Sequence, residues 1–165
     1  MHFRKASSND THQILSIINQ AKLYFKKQGI NQWQDGYPDI NIIAKDIQQG
    51  ESYVLEIEHK IIATAMITTK KETSYKNIEE GQWLQHGSYM VIHRMAIDTR
   101  YKGKNIALAF IKKAILLHPG VKAIRIDTHE NNLPMQRFLE KNGFQYCGII
   151  YLAGKDKRKA YEKLL

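Results

Sequence analysis

Hydrophobic positions along the chain change their period, and this change predicts where helices and strands lie. Apolar residues recur with a helical period over 14–25 and again over 40–47, and a glycine follows each stripe. The run SYVLEIEHKIIATAMITT, residues 52–69, is typical of two strands. We expect a tight hairpin turn there, at His59 and Lys60.

The second half of the chain alternates between strand and helix patterns. Segment 70–87 is polar and long for a loop, so we expect it to be mobile or functional. YMVIHRMAI, residues 89–97, is the most apolar strand candidate, which favours a central place in a sheet. A helix is predicted from about Lys104 to Leu117, followed by a strand, another helix and two closing strands around a basic turn at 155–159.

The predicted order, β-α-α-β-β-β-α-β-α-β-β, indicates the fold class. A strand, a helix and a strand in the middle imply one parallel pair, while the other neighbouring strands form antiparallel hairpins. We therefore expect a three-layer α+β fold with a mixed, mostly antiparallel sheet of six or seven strands, flanked by about four helices. A chain of 165 residues suits a single domain over 1–165.

Charge and cysteine content narrow the classes of partner. The formal net charge is +9, which permits nucleic acid, an anionic membrane surface or a polyanionic small molecule. The start of the sequence carries no apolar signal segment, and no apolar run is long enough to span a bilayer. The single cysteine, Cys147, excludes an internal disulfide framework and is expected to be a small buried side chain. We therefore expect a cytoplasmic protein without a membrane partner.

One basic stretch lies where an anion would bind. RYKGKN, residues 100–105, follows the apolar strand and precedes a helix. The free N–H groups and the dipole of a helix N-terminus favour an anion, most often a phosphate. Gly103 has no Cβ, so a ligand can approach the backbone closely, while Lys102 and Lys104 add attraction. The other basic runs have no such setting and are expected to be solvated loops.

A second element, NNLPMQRFLEKNGF at 131–144, is a short helix directly after a strand. Together with the 100–105 turn it carries a family resemblance: over essentially its whole length the chain resembles the GCN5-related N-acetyltransferase (GNAT) superfamily. The motif that holds the pyrophosphate of acetyl-CoA in that superfamily matches the segment 102–107. The second motif of the superfamily matches Asn132, Met135, Leu139, Gly143 and Phe144.

Three residues depart from the pattern of the superfamily. Lys102 replaces a glutamine or arginine, which keeps a cation but loses planar hydrogen bonding. Asn105 replaces a glycine, and asparagine tolerates the left-handed conformation better than other non-glycine residues. Leu139 stands where many members have the tyrosine that protonates the leaving thiolate. Tyr146 and Tyr151 are candidate replacements for it.

The resemblance implies direct transfer of an acetyl group from acetyl-CoA to a primary amine. It places the pantetheine arm beside the strand at 89–97, where the strand diverges from its parallel neighbour at a bulge. The implied cofactor-binding residues are Met95, Ala96, Ile97, Lys102, Gly103, Lys104, Asn105, Ile106, Ala107, Asn132, Met135 and Phe138.

The amine must lose a proton before it attacks. A catalytic base helps most when the pKa of the amine is high. His93 and His129 are the candidate bases, although a structural role is about twice as frequent for either alone. His93 would share the face of Met95 if no bulge intervened. Glu58 and Asp127 are weaker candidates.

The loop QWQDGYPD offers an acceptor pocket. In it, Trp33, Asp35 and Tyr37 combine aromatic rings with a carboxylate, which suits a cationic amine. Equally, Trp33 could cap the core. No pair of histidines has the spacing of metal ligands, so we expect no metal.

Two other functions stay open at the level of sequence. Because Leu139 removes the usual acid, the chain could bind acetyl-CoA as a catalytically silent sensor. The charge also permits a nucleic-acid-binding domain, although the sequence has no helix-turn-helix spacing, zinc ligands or aromatic RNA-binding strand signature. The sequence does not identify the amine acceptor, and members of the superfamily often form homodimers.

Overall fold

A computed structural model describes all 165 residues of the chain. The helices are α1 (Thr11–Lys27), α2 (Ile40–Gln48), α3 (Ile106–Leu117) and α4 (Leu133–Lys141). The strands are β1 (His2–Lys5), β2 (Ser52–Ile57), β3 (Lys60–Thr68), β4 (Tyr89–Ile97), β5 (Ala123–Thr128), β6 (Gln145–Leu152) and β7 (Asp156–Leu164).

The seven strands form one sheet in the order β1-β2-β3-β4-β5-β7-β6. β4 and β5 are parallel, whereas the pairs β1–β2, β2–β3, β5–β7 and β6–β7 are antiparallel. This confirms the predicted fold class, a mixed sheet of seven strands with one parallel pair and four helices.

By its internal packing the chain divides into two compact units. Unit 1 comprises residues 1–67 and 93–117, and unit 2 comprises residues 68–92 and 118–165. The boundary falls within β4, so this strand contributes residues to both units. Each unit is described by itself below.

The core of unit 1 forms on the helical stripe that the sequence shows. Ile14, Ile17 and Ile18 lie on one face of α1 and are almost fully buried. They pack with Trp33 and Val54, among other residues. Capping groups fix the helix starts, because polar side chains there satisfy N–H groups that lack a partner within the helix. The Asp39 side chain accepts a hydrogen bond from the Ile42 backbone N–H at 2.9 Å.

Unit 2 buries aromatic residues that come from the segment 70–87. Tyr75 and Trp83 are 2% and 7% exposed and belong to a core cluster with Cys147 and Ile150. The Trp83 indole N–H donates to the Tyr75 carbonyl at 2.9 Å. The segment thus contributes to the core of its unit, and Cys147 is buried as expected.

Three predicted boundaries are wrong, and left-handed residues explain all three. The hairpin turn lies at Glu58 and His59, which have φ of 49° and 62°, instead of at His59 and Lys60. Helix α3 begins at Ile106 instead of near Lys104, because Asn105 has φ of 57° and cannot be part of the helix.

The third wrong boundary is at the basic turn predicted for 155–159. Most of this stretch belongs to β7, which begins at Asp156. The chain reverses before it, at Ala153 and Gly154, which have φ of 49° and 73°. Two consecutive left-handed residues are typical of a tight hairpin turn.

Candidate functional site

A backbone irregularity interrupts β4 in unit 1. Arg94 lies in the middle of this strand and has φ of 56°, a left-handed conformation that costs energy for a residue with a side chain. His93 and Met95 flank it. The prediction that they share a face required regular alternation, and the left-handed residue between them removes that regularity.

Side-chain contacts of unit 1 anchor the segment that follows β4. Asp98 is 2% exposed, and its carboxylate accepts hydrogen bonds from the Arg100 backbone N–H at 3.0 Å and from its Nε at 2.9 Å. The hydrogen bonds from Arg100 hold the pKa of Asp98 below its ordinary value. The Thr99 N–H donates to Gln20 Oε1 on α1 at 2.9 Å. The 100–105 turn therefore starts from a fixed position.

The 100–105 turn has the backbone that the sequence predicts. Gly103 and Asn105 both have positive φ, 79° and 57°. A Cβ built at Gly103 would have no atom within 4 Å, so the outer side of the turn is open. The Asn105 carbonyl accepts from the Ala109 N–H at 3.0 Å, which makes Asn105 the last residue before the helix. Ile106 begins α3 and is buried, so only its backbone can face a ligand.

The two lysines of this turn differ in their contacts. Lys102 Nζ lies 3.1 Å from the centroid of the Tyr24 ring, a cation–π contact with α1. Lys104 Nζ lies 5.2 Å from the centroid of Tyr101. Both lysines are exposed. The turn thus presents two cations beside a helix N-terminus, which is the chemistry of an anion site.

The predicted cofactor-binding residues of β4 and of the first turn of α3 differ in burial. Ala96 is 4% exposed and belongs to the core cluster, whereas Met95 and Ile97 are half-buried. Ala107, in the first turn of α3, is also half-buried. The role of these residues in binding stays a prediction.

The predicted acceptor residues Trp33, Asp35 and Tyr37 differ in exposure. Trp33 is 8% exposed and packs edge-on against Phe25, with ring centroids 5.4 Å apart. This contact agrees with the alternative in which Trp33 caps the core. Asp35 is exposed and accepts a hydrogen bond from the Tyr37 backbone N–H at 3.2 Å.

Sequence reasoning missed the ion pair of Arg94 with Asp46. Arg94 Nε and Nη2 donate to the two carboxylate oxygens of Asp46 on α2 at 3.0 and 2.7 Å. Arg94 Nη1 donates to the Tyr37 hydroxyl at 2.6 Å. A signal for Asp46 was present in the sequence, since it follows the buried Ile43 by three positions and so lies on the apolar stripe of α2.

In unit 2, the contacts of His129 disfavour it as a base. Burial and the charge of Arg158 lower the pKa of His129, which favours the neutral ring. However, Nδ1 accepts a hydrogen bond from the Asn131 backbone N–H at 3.1 Å. The neutral ring then carries its proton on Nε2, so neither nitrogen has a lone pair available to accept the proton of an amine.

Asp127, the weaker candidate, lies in the same unit and already has two partners. It accepts a hydrogen bond from the Tyr75 hydroxyl at 2.7 Å, and its carboxylate lies 3.8 Å from Arg158 Nε. Glu58, the other weak candidate, is a residue of the β2–β3 turn.

Asn132, the first residue of the second superfamily motif, caps the N-terminus of helix α4. The Asn132 side chain accepts a hydrogen bond from the Met135 N–H at 3.2 Å. Met135 and Phe138 are half-buried. Leu139 is fully buried, so the position that holds a tyrosine in many superfamily members is part of the core here.

The two candidate acids of unit 2 lie on β6. Tyr146 is 46% exposed, and burial together with the charge of Glu80 raises its pKa. The hydroxyl of Tyr146 therefore keeps its proton near neutral pH and is a weaker acid than a tyrosine in water. Tyr151 is half-buried.

The structure contains no group of three or more histidine, cysteine, aspartate or glutamate residues that could hold a metal ion. None of its helices is long and apolar enough to cross a membrane.

Comparison with known proteins gives one family. The sequence profile of the Acetyltransferase (GNAT) family matches residues 14–144. A GNAT-family acetyltransferase from Streptococcus agalactiae 2603 has 36% sequence identity, and its crystal structure superposes with a TM-score of 0.91 over 99% of this chain and 95% of that chain. A comparison with the curated proteins gave no match.

More distant structures share the fold. The ribosomal-protein-S18-alanine N-acetyltransferase from Escherichia coli has 14% identity and a TM-score of 0.65 over 99% of this chain and 92% of that chain. The NatC complex bound to Gag peptide and CoA has 12% identity and a TM-score of 0.67, covering 99% of this chain and 98% of that chain.

Proposed function

Because the chain belongs to the GNAT family of acetyltransferases, we propose that it transfers the acetyl group of acetyl-CoA to a primary amine of a small molecule or peptide. The observation that carries this proposal is the 100–105 turn. Left-handed Gly103 and Asn105 lead directly into α3, and two exposed lysines flank the glycine. This arrangement fits a pyrophosphate, because backbone N–H groups, a helix dipole and cations act at one place.

The backbone of β4 supports the assignment of the pantetheine arm to Met95–Ile97. The parallel pairing of β4 with β5 is recorded at Tyr89–Val91, and the left-handed Arg94 follows three residues later. On the side of β4 that faces β5, residues beyond the paired stretch have N–H and C=O groups that can bind the amides of an extended ligand. The chain therefore offers the donors and acceptors that such an arm needs.

The proposed reaction forms one bond and breaks one. The amine nitrogen attacks the carbonyl carbon of the thioester, the C–S bond breaks, and CoA leaves as a thiolate that takes up a proton. We assign His93 as the residue that accepts the proton of the amine, because it lies in β4 two residues before the Met95–Ile97 backbone that is assigned to the pantetheine arm. Tyr146 or Tyr151 would protonate the thiolate, although a thiol pKa of roughly 8.5 makes this help modest.

Calorimetric titration tests whether the protein binds acetyl-CoA. Wild-type protein is expected to bind acetyl-CoA with a dissociation constant in the micromolar range or tighter, and to bind CoA without the acetyl group in the same range. Absence of binding would contradict the proposal. Steep loss of nucleic-acid binding with added salt would instead support the nucleic-acid alternative that the charge permits.

A panel of amines, with detection of the free thiol of CoA, tests whether the protein transfers the acetyl group. Turnover with any primary amine supports the transferase, and the panel should include polyamines, amino acids, aminoglycosides and peptides with free N-termini. The fully buried Leu139 keeps a catalytically silent sensor as the second candidate. Tight binding of acetyl-CoA without turnover across the panel would favour the sensor.

The location and assembly of the protein are also proposals. We expect the enzyme to act in the cytoplasm, where acetyl-CoA is available, and to form a homodimer. Sedimentation at several protein concentrations would give the mass of the particle.

A further inference from the structure

Arg94 combines two properties that are rarely found at one residue. Its backbone is left-handed within a strand of nine residues, and its guanidinium is a buried ion-pair partner. A β-strand residue with a long side chain has no intrinsic reason to adopt φ of 56°, because its Cβ then approaches the following carbonyl. The surrounding structure must therefore hold this conformation, and the contacts of the Arg94 side chain are part of that structure.

The contacts of the guanidinium come from two separate elements of unit 1. Asp46 of α2 accepts two hydrogen bonds, and the Tyr37 hydroxyl accepts a third. The side chains of Arg94 and Asp46 are only 14% and 10% exposed. A planar guanidinium that is bonded on three sides has a single orientation, and this orientation fixes the position of the backbone that carries it.

The surroundings make this ion pair hard to replace by water. Asp46 and Arg94 border a small hollow whose other walls include Ile14, Ile18 and Ile43. Charges next to apolar walls interact more strongly than charges in water, and losing one of them leaves the other without compensation.

We infer that the Arg94–Asp46 ion pair, with Tyr37 as third contact, is a positioning device for the acyl donor. It holds β4 in the left-handed conformation at Arg94 and thereby sets the direction of the Met95–Ile97 backbone. The inference rests on the proposed function, which assigns that backbone to the pantetheine arm. It also links the loop that is predicted to contact the acceptor with the proposed donor site, because Tyr37 belongs to that loop.

Unit 1 contains a matched control for this ion pair. Arg4 Nη1 and Nη2 donate to the two oxygens of Asp10 at 2.8 and 3.0 Å, so this pair is also bidentate, although Arg94 uses Nε and Nη2. The hydrogen bond from Arg4 is the main reason why the pKa of Asp10 is lowered to about 2. Arg4 lies in β1 without positive φ, so this pair stabilises the fold without holding a strained backbone.

The first test compares Asp46→Asn with Asp10→Asn, measuring both the melting temperature and the affinity for acetyl-CoA. Both substitutions should lower the melting temperature. Only Asp46→Asn should weaken acetyl-CoA binding, by about tenfold, whereas Asp10→Asn should change it by less than about twofold. If Asp46→Asn does not fold, Arg94→Lys replaces it, because lysine keeps the charge and loses the bidentate bond.

The second test separates the backbone from the ion pair. In the Asp46→Asn background, Arg94→Gly should bind acetyl-CoA more tightly than Arg94→Ala, because only glycine adopts the left-handed conformation without cost. A purely structural role predicts the opposite order, since glycine weakens a strand more than alanine does.

The outcomes distinguish this inference from the proposed function. If wild-type protein does not bind acetyl-CoA, both are overturned. If wild-type protein binds acetyl-CoA but Asp46→Asn and Asp10→Asn affect binding equally, or if alanine at position 94 outperforms glycine, only the positioning role is overturned.

Discussion

Two basic stretches of this chain have similar composition and different structures. Residues 155–159 include Arg158, which is 5% exposed and lies between two carboxylates, with Nη2 2.6 Å from Asp156 and Nε 3.8 Å from Asp127. Lys155 and Lys157 are exposed, as are both lysines of residues 100–104, so the two stretches have the same number of exposed lysines. The number of exposed cations therefore does not identify an anion site.

The backbones of the two stretches differ as well. Ala153 and Gly154 are both left-handed, but they only reverse the chain between two strands. Gly103 and Asn105 are left-handed directly before a helix, so their conformation exposes the N-terminus of α3. Left-handed residues, like basic residues, indicate an anion site only in combination with a helix N-terminus.

The largest effect on stability is expected from a substitution of Arg158, in residues 155–159. Arg158→Met should lower the free energy of unfolding by about 3 kcal/mol, because it removes a buried charge and leaves Asp127 without its cation. Urea denaturation measures this loss. A change below about 1 kcal/mol would mean that Arg158 behaves as a surface residue and would remove the contrast between the stretches.

The next largest effect concerns Asp98, which anchors residues 100–104, and it depends on pH. Because Arg100 lowers the pKa of Asp98, the carboxylate stabilises the fold fully above its unfolded pKa of about 3.9 and less as the pH falls toward its folded pKa. Asp98→Asn should therefore reduce stability at neutral pH, and the difference from wild type should shrink below about pH 4. Thermal melts across this range would measure it, and a pH-independent difference would contradict the role of the charge.

The smallest effect comes from the exposed lysines. The double variant Lys102→Ala, Lys104→Ala should weaken acetyl-CoA binding by about fivefold and flatten its salt dependence, because exposed charges contribute modestly. The double variant Lys155→Ala, Lys157→Ala removes the same net charge from residues 155–159. It should leave the affinity for acetyl-CoA within about twofold of the wild-type value. Equal losses for the two double variants would mean that only net charge matters.

The order of the elements could be predicted from the sequence because it depends on local periodicity. The helical stripe of α1 and the β runs of the β2–β3 hairpin each lie within a short segment. Boundaries were less accurate where a non-glycine residue is left-handed, as at Glu58 and Asn105. Side chains such as Glu give no sequence signal for that conformation, since tertiary contacts impose it.

The candidate site could be predicted only in part, for a similar reason. The 100–105 turn combines its glycine, its asparagine and its lysines within six consecutive residues, so its chemistry is visible in the sequence. The Arg94–Asp46 pair joins residues 48 positions apart, and no local pattern connects them. Trp33 illustrates the same limit, because an aromatic ring in a loop fitted both an acceptor pocket and a cap on the core, and its burial agrees with the cap.

The most direct test of acetyl-CoA binding at the 100–105 turn is a calorimetric titration of two glycine variants. Gly103→Val and Gly29→Val both place a β-branched residue at positive φ, 79° and 68°, with no atom near the added Cβ in either case. Both variants strain the backbone of unit 1, but only the first distorts the proposed pyrophosphate site. We predict that Gly103→Val loses acetyl-CoA binding while Gly29→Val retains it; equal affinity in the two variants would contradict the assignment of this turn.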